Sequence, residues 1–194
     1  MIENNWITLV KPNKVEYKIS ENKKFGTVII EPLEKGFGIT LGNALRRVLL
    51  SSLQGTAMTS IKINGVLHEF STIEGVREDV TDIIMNLKNV TFNSSSNHTQ
   101  KLSLNVKGPK EVLSSDFEEN SEVEIVDKDV VIMNLDENRE VNLEIFLDVN
   151  KGYLPADKNK SDDSKSVGQI VLDSTFSPVK RVSFKVENSR IGQD

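Results

Sequence analysis

A run of alternating apolar and polar residues at positions 141–149 constrains the fold more than any other feature. Val141, Leu143, Ile145, Leu147 and Val149 are each separated by a single, mostly polar residue. Successive side chains of a strand point to opposite faces of a sheet, so this spacing predicts a strand with one buried face. Shorter runs of strand character lie at residues 27–30, 102–106, 123–125 and 179–186. The chain is therefore expected to consist mainly of sheet.

A two-residue turn signal, Asn64-Gly65, stands between two further alternating segments at residues 61–63 and 66–70. Both turn positions tolerate positive φ, which the tightest hairpin turns require. The sequence therefore predicts a β-hairpin across residues 57–70.

Two segments carry the spacing of amphipathic helices. In residues 76–89, apolar residues recur at helical intervals, Glu78 and Asp79 come early and Lys88 comes late, as the helix dipole favours. The other helix lies in residues 31–52, EPLEKGFGITLGNALRRVLLSS, after a strand that Pro32 ends. Many short strands with two helices predict an α+β fold.

Composition narrows the classes of function. The 194 residues allow one large domain or two small ones. A net charge of -5 disfavours free nucleic acid as a partner, because phosphate-backbone binders carry a basic excess. The chain has no cysteine for a disulfide or thiolate metal site, and no apolar run approaches the roughly 20 residues of a membrane span. Its start lacks the features of a secretory signal, so we expect a cytoplasmic protein without membrane contact.

The glycines of EPLEKGFGITLGNALRRVLLSS have the outline of a phosphate-binding turn. Gly36, Gly38 and Gly42 precede and enter the helix, but the third glycine lies one residue too far along for G-x-G-x-x-G. A P-loop needs Gly-Lys-Ser/Thr, whereas Gly42 is followed by Asn43. We interpret Gly36 and Gly38 as residues that let the chain turn from strand to helix, and Thr40 as the N-cap.

The helix that follows has two distinct sides. One side is a stripe with the spacing of a core face, formed by Leu41, Leu45, Val48, Leu49 and Ser52, with Phe37 and Ala44 on its flank. The other side carries the paired arginines at positions 46 and 47 and a leucine at position 50. Arginine beside an aliphatic residue is common in protein interfaces, and single leucines are also common on solvated faces. The residues alone leave both interpretations of this side open.

The sequence contains no catalytic constellation. His68 and His98 lie in a predicted strand and a polar loop without metal-binding spacing, and no serine stands in G-x-S-x-G. Asp162 and Asp163 lie in a lysine-rich loop, where nothing would hold the geometry of a Mg²⁺ site. We expect no catalytic, metal or cofactor site in the chain.

Several long segments resemble one protein family. EPLEKGFGITLGNALRRVLLSS and INGVLHEFSTIEGVREDVTDIIMNLK closely resemble the amino-terminal domain of the α subunit of bacterial RNA polymerase. KGYLPAD and VGQIVLDSTFSPVKRVSFKVE resemble the same family in the same order, so the resemblance covers nearly the whole chain. It implies a non-catalytic assembly scaffold, a homodimer that gathers the β and β′ subunits for DNA-templated transcription.

The resemblance also implies two subdomains. Residues 1–54 and 171–194 would form a discontinuous dimerisation subdomain of sheet and helices, and residues 55–170 would form an inserted, mostly β subdomain. In the family a long helix follows and completes the dimer interface, before a linker and a small DNA-binding domain. These segments are not within residues 1–194, so we expect no direct DNA contact from those residues. The sequence leaves open whether residues 1–194 dimerise without that helix.

Three groups of contact residues follow from the resemblance. It implies a dimer interface at Phe37, Leu41, Leu45 and Val48. It implies a contact with β at Arg47, Leu50 and Asp82. It implies a contact with β′ at Lys88, Leu172 and Val179. An ordinary place in a strand core is an equal alternative for the last two residues, whereas Arg47 could hold a carboxylate of β in a fork of two hydrogen bonds that lysine cannot reproduce.

The sequence thus supports an assembly subunit over two competing hypotheses. The spacing of the glycines counts against a nucleotide-binding enzyme, and the acidic balance of charge counts against a nucleic-acid-binding module.

Overall fold

A computed structural model describes residues 9–22, 24–136, 139–159 and 168–188 of the protein. The described residues form α-helices α1 (Phe37–Ser51), α2 (Val80–Lys88) and α3 (Ala156–Asn159), and a 3₁₀ turn at Ser114–Asp116. The strands are β1 (Lys14–Ile19), β2 (Gly26–Glu31), β3 (Gln54–Ile63), β4 (Phe92–Ser94), β5 (Gln100–Lys107), β6 (Lys110–Leu113), β7 (Val123–Ile125), β8 (Val131–Leu135), β9 (Glu140–Lys151), β10 (Tyr153–Leu154), β11 (Gln169–Val171) and β12 (Ser174–Thr175). The chain divides into two compact units, Met1–Leu49 with Arg181–Asp194, and Leu50–Lys180.

A four-stranded antiparallel sheet in the order β11-β3-β9-β5 is the centre of the unit Leu50–Lys180. Its strand β9 is the segment predicted from the alternation at residues 141–149. Ile145 of β9 stands opposite Ile61 of β3 and Leu102 of β5, and all three side chains are buried. Such rows of cross-strand neighbours on one face stabilise a sheet. The predicted half-buried strand is confirmed and is paired on both edges.

Helix α2 also follows its predicted periodicity. Its buried residues are those that the spacing indicated, Val80, Ile83, Ile84 and Leu87. The helix begins at Val80 and not at the predicted residue 76, because the carboxylate of Asp79 accepts a hydrogen bond from the backbone N–H of Asp82 at 2.7 Å and caps the helix. The side-chain amide of Asn86 donates to the carbonyl of Ile132 in β8 at 3.0 Å, which ties the helix to a strand.

The predicted hairpin at residues 57–70 is wrong. The Asn64-Gly65 turn forms, with Gly65 at a φ of 82° and the amide of Val66 donating to the carbonyl of Ile63 at 3.1 Å. Residues 66–79, all of them described, then form no strand beyond a single bridge at Val76. Both edges of β3 are already paired, one with β9 and one with β11, so the residues after the turn have no free edge to join. They form an irregular loop that leads to α2.

The prediction for the start of α1 is also corrected. The helix begins at Phe37, directly after Gly36, whose φ of 89° favours glycine. Thr40 therefore lies inside the helix and is not its N-cap. Gly38 also lies inside the helix and is not a turn residue. Its lack of a side chain matters for packing, because a Cβ there would lie 2.9 Å from a methyl group of Val186.

The last predicted strand, at residues 179–186, is absent from the described residues, which have no strand after β12. Instead, Phe184 and Val186 pack on Gly42 and Gly38 of α1. Side-chain packing on a helix, and not pairing with another strand, thus holds this segment. The polar loop predicted after residue 155 begins with α3, and Asp162 and Asp163 lie outside the described residues.

Replacing Leu143 with alanine should lower the free energy of unfolding by about 2–5 kcal/mol, because the truncation leaves a cavity in a well-packed sheet face. Leu143 is 1% exposed and stands in register with Ile63 and Leu104. Urea denaturation followed by circular dichroism measures the change. The matched control is Leu67→Ala in the loop after the turn, where the side chain is 73% exposed and a change within about 0.5 kcal/mol is expected. Equal losses in the two variants would contradict this account of the core.

Candidate functional site

The apolar side of α1 is the first candidate surface. Phe37, Leu41, Leu45 and Val48 recur every three or four residues and therefore share one side of the helix. Phe37 is 46%, Leu45 is 42% and Val48 is 51% exposed, and α1 has no buried residue. The expectation that this stripe is an ordinary core face is wrong for the described part of the chain. The helix presents an open apolar side.

The neighbouring side of α1 is covered by the chain itself. Gly38 and Gly42 lie one turn apart, and Val186 and Phe184 pack on them in the reverse order, so this segment runs antiparallel to the helix. A Cβ at Gly42 would lie 2.4 Å from the ring of Phe184, so the contact requires glycine. At about 100° per residue, both glycines lie beside the apolar stripe and not within it. The covering segment therefore leaves the stripe exposed.

The polar side of α1 carries Arg47 and Leu50, the first two residues predicted to contact β. They lie three residues apart, so their side chains are neighbours on the helix surface. Arg47 is exposed and Leu50 is partly buried. The structure thus places the predicted contact pair on a side of α1 distinct from the apolar stripe.

Asp82, the third residue predicted to contact β, is exposed in the first turn of α2. The loop before this helix is fastened to it, because the hydroxyl of Thr81 donates to the carbonyl of Glu69 at 3.0 Å. Beside Glu69, Phe70 is 82% exposed, and Leu67 is 73% exposed in the same loop. The sequence singles out neither residue as a surface contact, because the alternation at residues 66–70 predicts a strand there. The exposure of Leu67 and Phe70 becomes evident only from the pairing of β3.

Lys88, at the end of α2, forms an ion pair with Asp173. Its Nζ lies 2.5 Å from the Asp173 Oδ1. The hydrogen bond from Lys88 holds the pKa of Asp173 below its usual range, against the opposing effect of burial, and the hydroxyl of Tyr153 contributes in the same direction as Lys88. The ion pair places Lys88 beside the segment that contains Leu172, so two of the residues predicted to contact β′ are brought close together.

Leu172 and Val179, the other residues predicted to contact β′, differ in burial. Leu172 is 7% exposed and its backbone N–H donates to the carbonyl of Thr59 at 2.8 Å, so its side chain belongs to the core. Val179 is partly buried, and its carbonyl accepts a hydrogen bond from the hydroxyl of Ser177 at 3.1 Å. Leu172 can therefore influence a partner only through the surface residues that it supports.

Both histidines are exposed. His68 is exposed in the loop after the turn, with Nδ1 3.1 Å from the hydroxyl of Ser71, and not in the strand predicted for it. His98 is exposed in a bend before β5. Among the described residues, no three histidine, cysteine, aspartate or glutamate side chains are grouped so that they could hold a metal. No helix in that part of the chain is both long and apolar enough to cross a membrane.

Residues 61–177 match the family described as the RNA polymerase Rpb3/RpoA insert domain. The match covers more than half of the chain and falls inside the compact unit Leu50–Lys180. The chain belongs to this family. It is an α/Rpb3-type domain of DNA-directed RNA polymerase. This nucleotidyltransferase complex carries out transcription, and such domains assemble in it with other subunits. The resemblance to an α-type amino-terminal domain, and the α+β fold with an inserted, mostly β subdomain, are confirmed.

The match divides the predicted contact residues of this α/Rpb3-type domain into two groups. Asp82, Lys88 and Leu172 lie within the matched segment. The residues of α1, and Val179, lie outside it. The assignments on α1 depend on the resemblance of EPLEKGFGITLGNALRRVLLSS to the family and on the exposure of the helix. The assignment of Val179 depends on the resemblance of VGQIVLDSTFSPVKRVSFKVE.

In the α/Rpb3-type domain, Lys88→Met should return the pKa of Asp173 toward its usual range, because the hydrogen bond that lowers it is removed. A depressed pKa means that the pair stabilises the fold above the unfolded-state pKa of about 3.9 and loses this effect as the pH falls through the folded-state value. The side chains are 30% and 46% exposed, so the stabilisation should stay below about 1 kcal/mol. NMR titration of the Asp173 carboxyl carbon measures the pKa, and denaturation at pH 7 and pH 2 measures the stability.

A matched control for this experiment is Lys101→Met, which removes a different ion pair, that with Glu144 at 2.8 Å. It should leave the titration of Asp173 unchanged. An unchanged Asp173 pKa in Lys88→Met would show that the ion pair does not form in solution.

Proposed function

We propose that this chain is the α-type assembly subunit of a bacterial DNA-directed RNA polymerase. It acts in the cytoplasm as a homodimer that recruits the β and β′ subunits, and it contributes no catalytic residue to the complex. Residues 1–54 and 171–194 serve as the dimerisation subdomain, and residues 55–170 form the inserted subdomain. The observation that carries the proposal is the open apolar side of α1 in a member of the α/Rpb3 family.

The exposed stripe on α1 supports a protein partner on energetic grounds. Burial of a leucine, valine or phenylalanine side chain is worth about 1.5–3 kcal/mol each, and contiguous exposed apolar residues mark interaction sites on soluble proteins. Phe37, Leu41, Leu45 and Val48 form such a set along one helix. A second copy of the same helix offers the same apolar stripe, as the self-complementary interface of a two-fold dimer requires.

The proposed β contact uses a different kind of chemistry. The guanidinium of Arg47 is a planar fork of the shape that holds a carboxylate, and the neighbouring Leu50 supplies an apolar contact beside it. Asp82 provides a negative charge on α2, and Phe70 adds a large exposed ring to the loop fastened to that helix.

The proposed β′ contact involves Lys88, Leu172 and Val179. Lys88 is held by Asp173, which limits the conformations of a long side chain before any partner binds. Leu172 anchors the same segment in the core. In this proposal Leu172 acts by positioning the surface around Asp173, and Lys88 supplies the polar contact.

Val48→Asp should weaken the homodimer by about 100-fold or more, because the interface would bury an unpaired carboxylate. Analytical ultracentrifugation over a range of concentrations measures the dimer dissociation constant. Ile39→Asp is the matched control, since Ile39 is also β-branched and is 59% exposed, but it lies on the other side of α1. A dimer that tolerates Val48→Asp as well as Ile39→Asp would overturn the assignment of the stripe.

Arg47→Ala should abolish capture of the β subunit while the fold is retained, because the two hydrogen bonds of the guanidinium fork are lost. Pull-down of purified β by the tagged chain measures capture, and circular dichroism checks the fold. Arg46→Ala, one residue earlier and about 100° away around the helix, should capture β as the wild type does. If Arg47→Ala also retains β, the proposed contact is wrong.

A further inference from the structure

An open, polar cavity of about 260 Å³ lies where the turn after β3 meets the start of β9. The amide of Asn64 donates to the carbonyl of Asn142 at 3.1 Å and joins the two walls. Arg139 and Glu140 also line the cavity. None of the residues assigned above to a subunit contact lines it.

The stem of Arg139, a residue that lines the cavity, packs on Gly75. Its Cβ and Cγ lie 3.2 Å from the point where a side chain of Gly75 would begin, and Gly75 has a φ of 75°. The carbonyl of Arg139 accepts a hydrogen bond from the amide of Gly108 at 2.7 Å, which anchors the backbone as well. The backbone and the stem of Arg139 are therefore held before any ligand arrives.

The Nε of Arg139 is sealed from water and has no hydrogen-bond partner among the described residues. An unsatisfied donor on a partly desolvated cation is unfavourable, and an anion bound to the remaining donors of the guanidinium offsets that cost. The side-chain amides of Asn64 and Asn142 border the same space and can donate further hydrogen bonds.

The charge around the cavity indicates which anion fits. Glu140 adds one negative charge to the lining, which penalises a doubly charged phosphate more than a singly charged carboxylate. A carboxylate also matches the guanidinium fork with two parallel hydrogen bonds. We propose that the Arg139 cavity binds a carboxylate group of the kind found on a glutamate or aspartate side chain.

The test is an NMR titration of the ¹⁵N-labelled 194-residue chain with N-acetyl-glutamate N-methylamide at constant ionic strength. We expect saturable shifts of the Arg139 Nε–H signal and of the side-chain amides of Asn64 and Asn142. The glutamine analogue of the probe should produce no saturable shift. Inorganic phosphate should bind more weakly than the glutamate probe.

Variants identify the residue responsible. Arg139→Gln should weaken binding of the glutamate probe roughly tenfold or more, because the charged fork is removed. Arg77→Gln, at an exposed arginine that does not line the cavity, should bind as the wild type does. Arg139→Lys keeps the charge without the fork and should weaken binding several-fold, and its result decides the matter if Arg139→Gln does not fold.

Four results would overturn the proposal. They are an absence of saturation with the glutamate probe, equal shifts with the glutamine analogue, unchanged affinity in the Arg139 variants, and tighter binding of phosphate than of the glutamate probe.

Discussion

The pairing of β9 on both edges is the constraint on which the inserted subdomain depends. Ile145 lies between Ile61 and Leu102, and the alternation of β9 places every second residue in the same buried layer. Because antiparallel pairing consumes the backbone donors and acceptors along each edge, β9 also determines which edges remain open to others. With β11 on its far side, β3 has no edge left for the residues that follow it.

The pairing of both edges of β3 also determines a surface that the proposed function requires. Residues 66–79 leave the sheet as a loop, with Leu67 and Phe70 exposed, and reach the cap of α2 at Asp79. Helix α2 then buries its apolar side and leaves Asp82 and Lys88 at the surface. A strand in place of the loop would have placed Leu67 and Phe70 on opposite faces of the sheet. The pairing of the core strands therefore also determines which side chains lie at the surface.

Helix α1 differs from the sheet because its apolar side is exposed. Its glycines admit Phe184 and Val186 on one side, while the adjacent apolar stripe has no comparable cover among the described residues. Burial within a chain and burial between chains draw on the same hydrophobic effect, so periodicity alone does not distinguish them. This is why Leu45 and Val48 have the spacing of a core residue and yet are exposed in the structure.

Local patterns in the sequence determined a large part of the secondary structure of this protein. The periods of two and of 3.6 residues identified β5, β9 and the buried side of α2, because each depends only on which face of an element is apolar. The spacing of Gly36, Gly38 and Gly42 argued against a nucleotide site, and long segments such as INGVLHEFSTIEGVREDVTDIIMNLK indicated the α-type family. Only the tertiary structure decided the rest. Whether the residues after the Asn64-Gly65 turn form a strand depended on whether β3 had a free edge. The ion pair of Lys88 joins residues 85 positions apart. The unsatisfied Nε of Arg139 likewise depends on neighbours that are distant in sequence. Turn and helix preferences are local free energies, whereas edges, ion pairs and cavities exist only once distant segments occupy the same space.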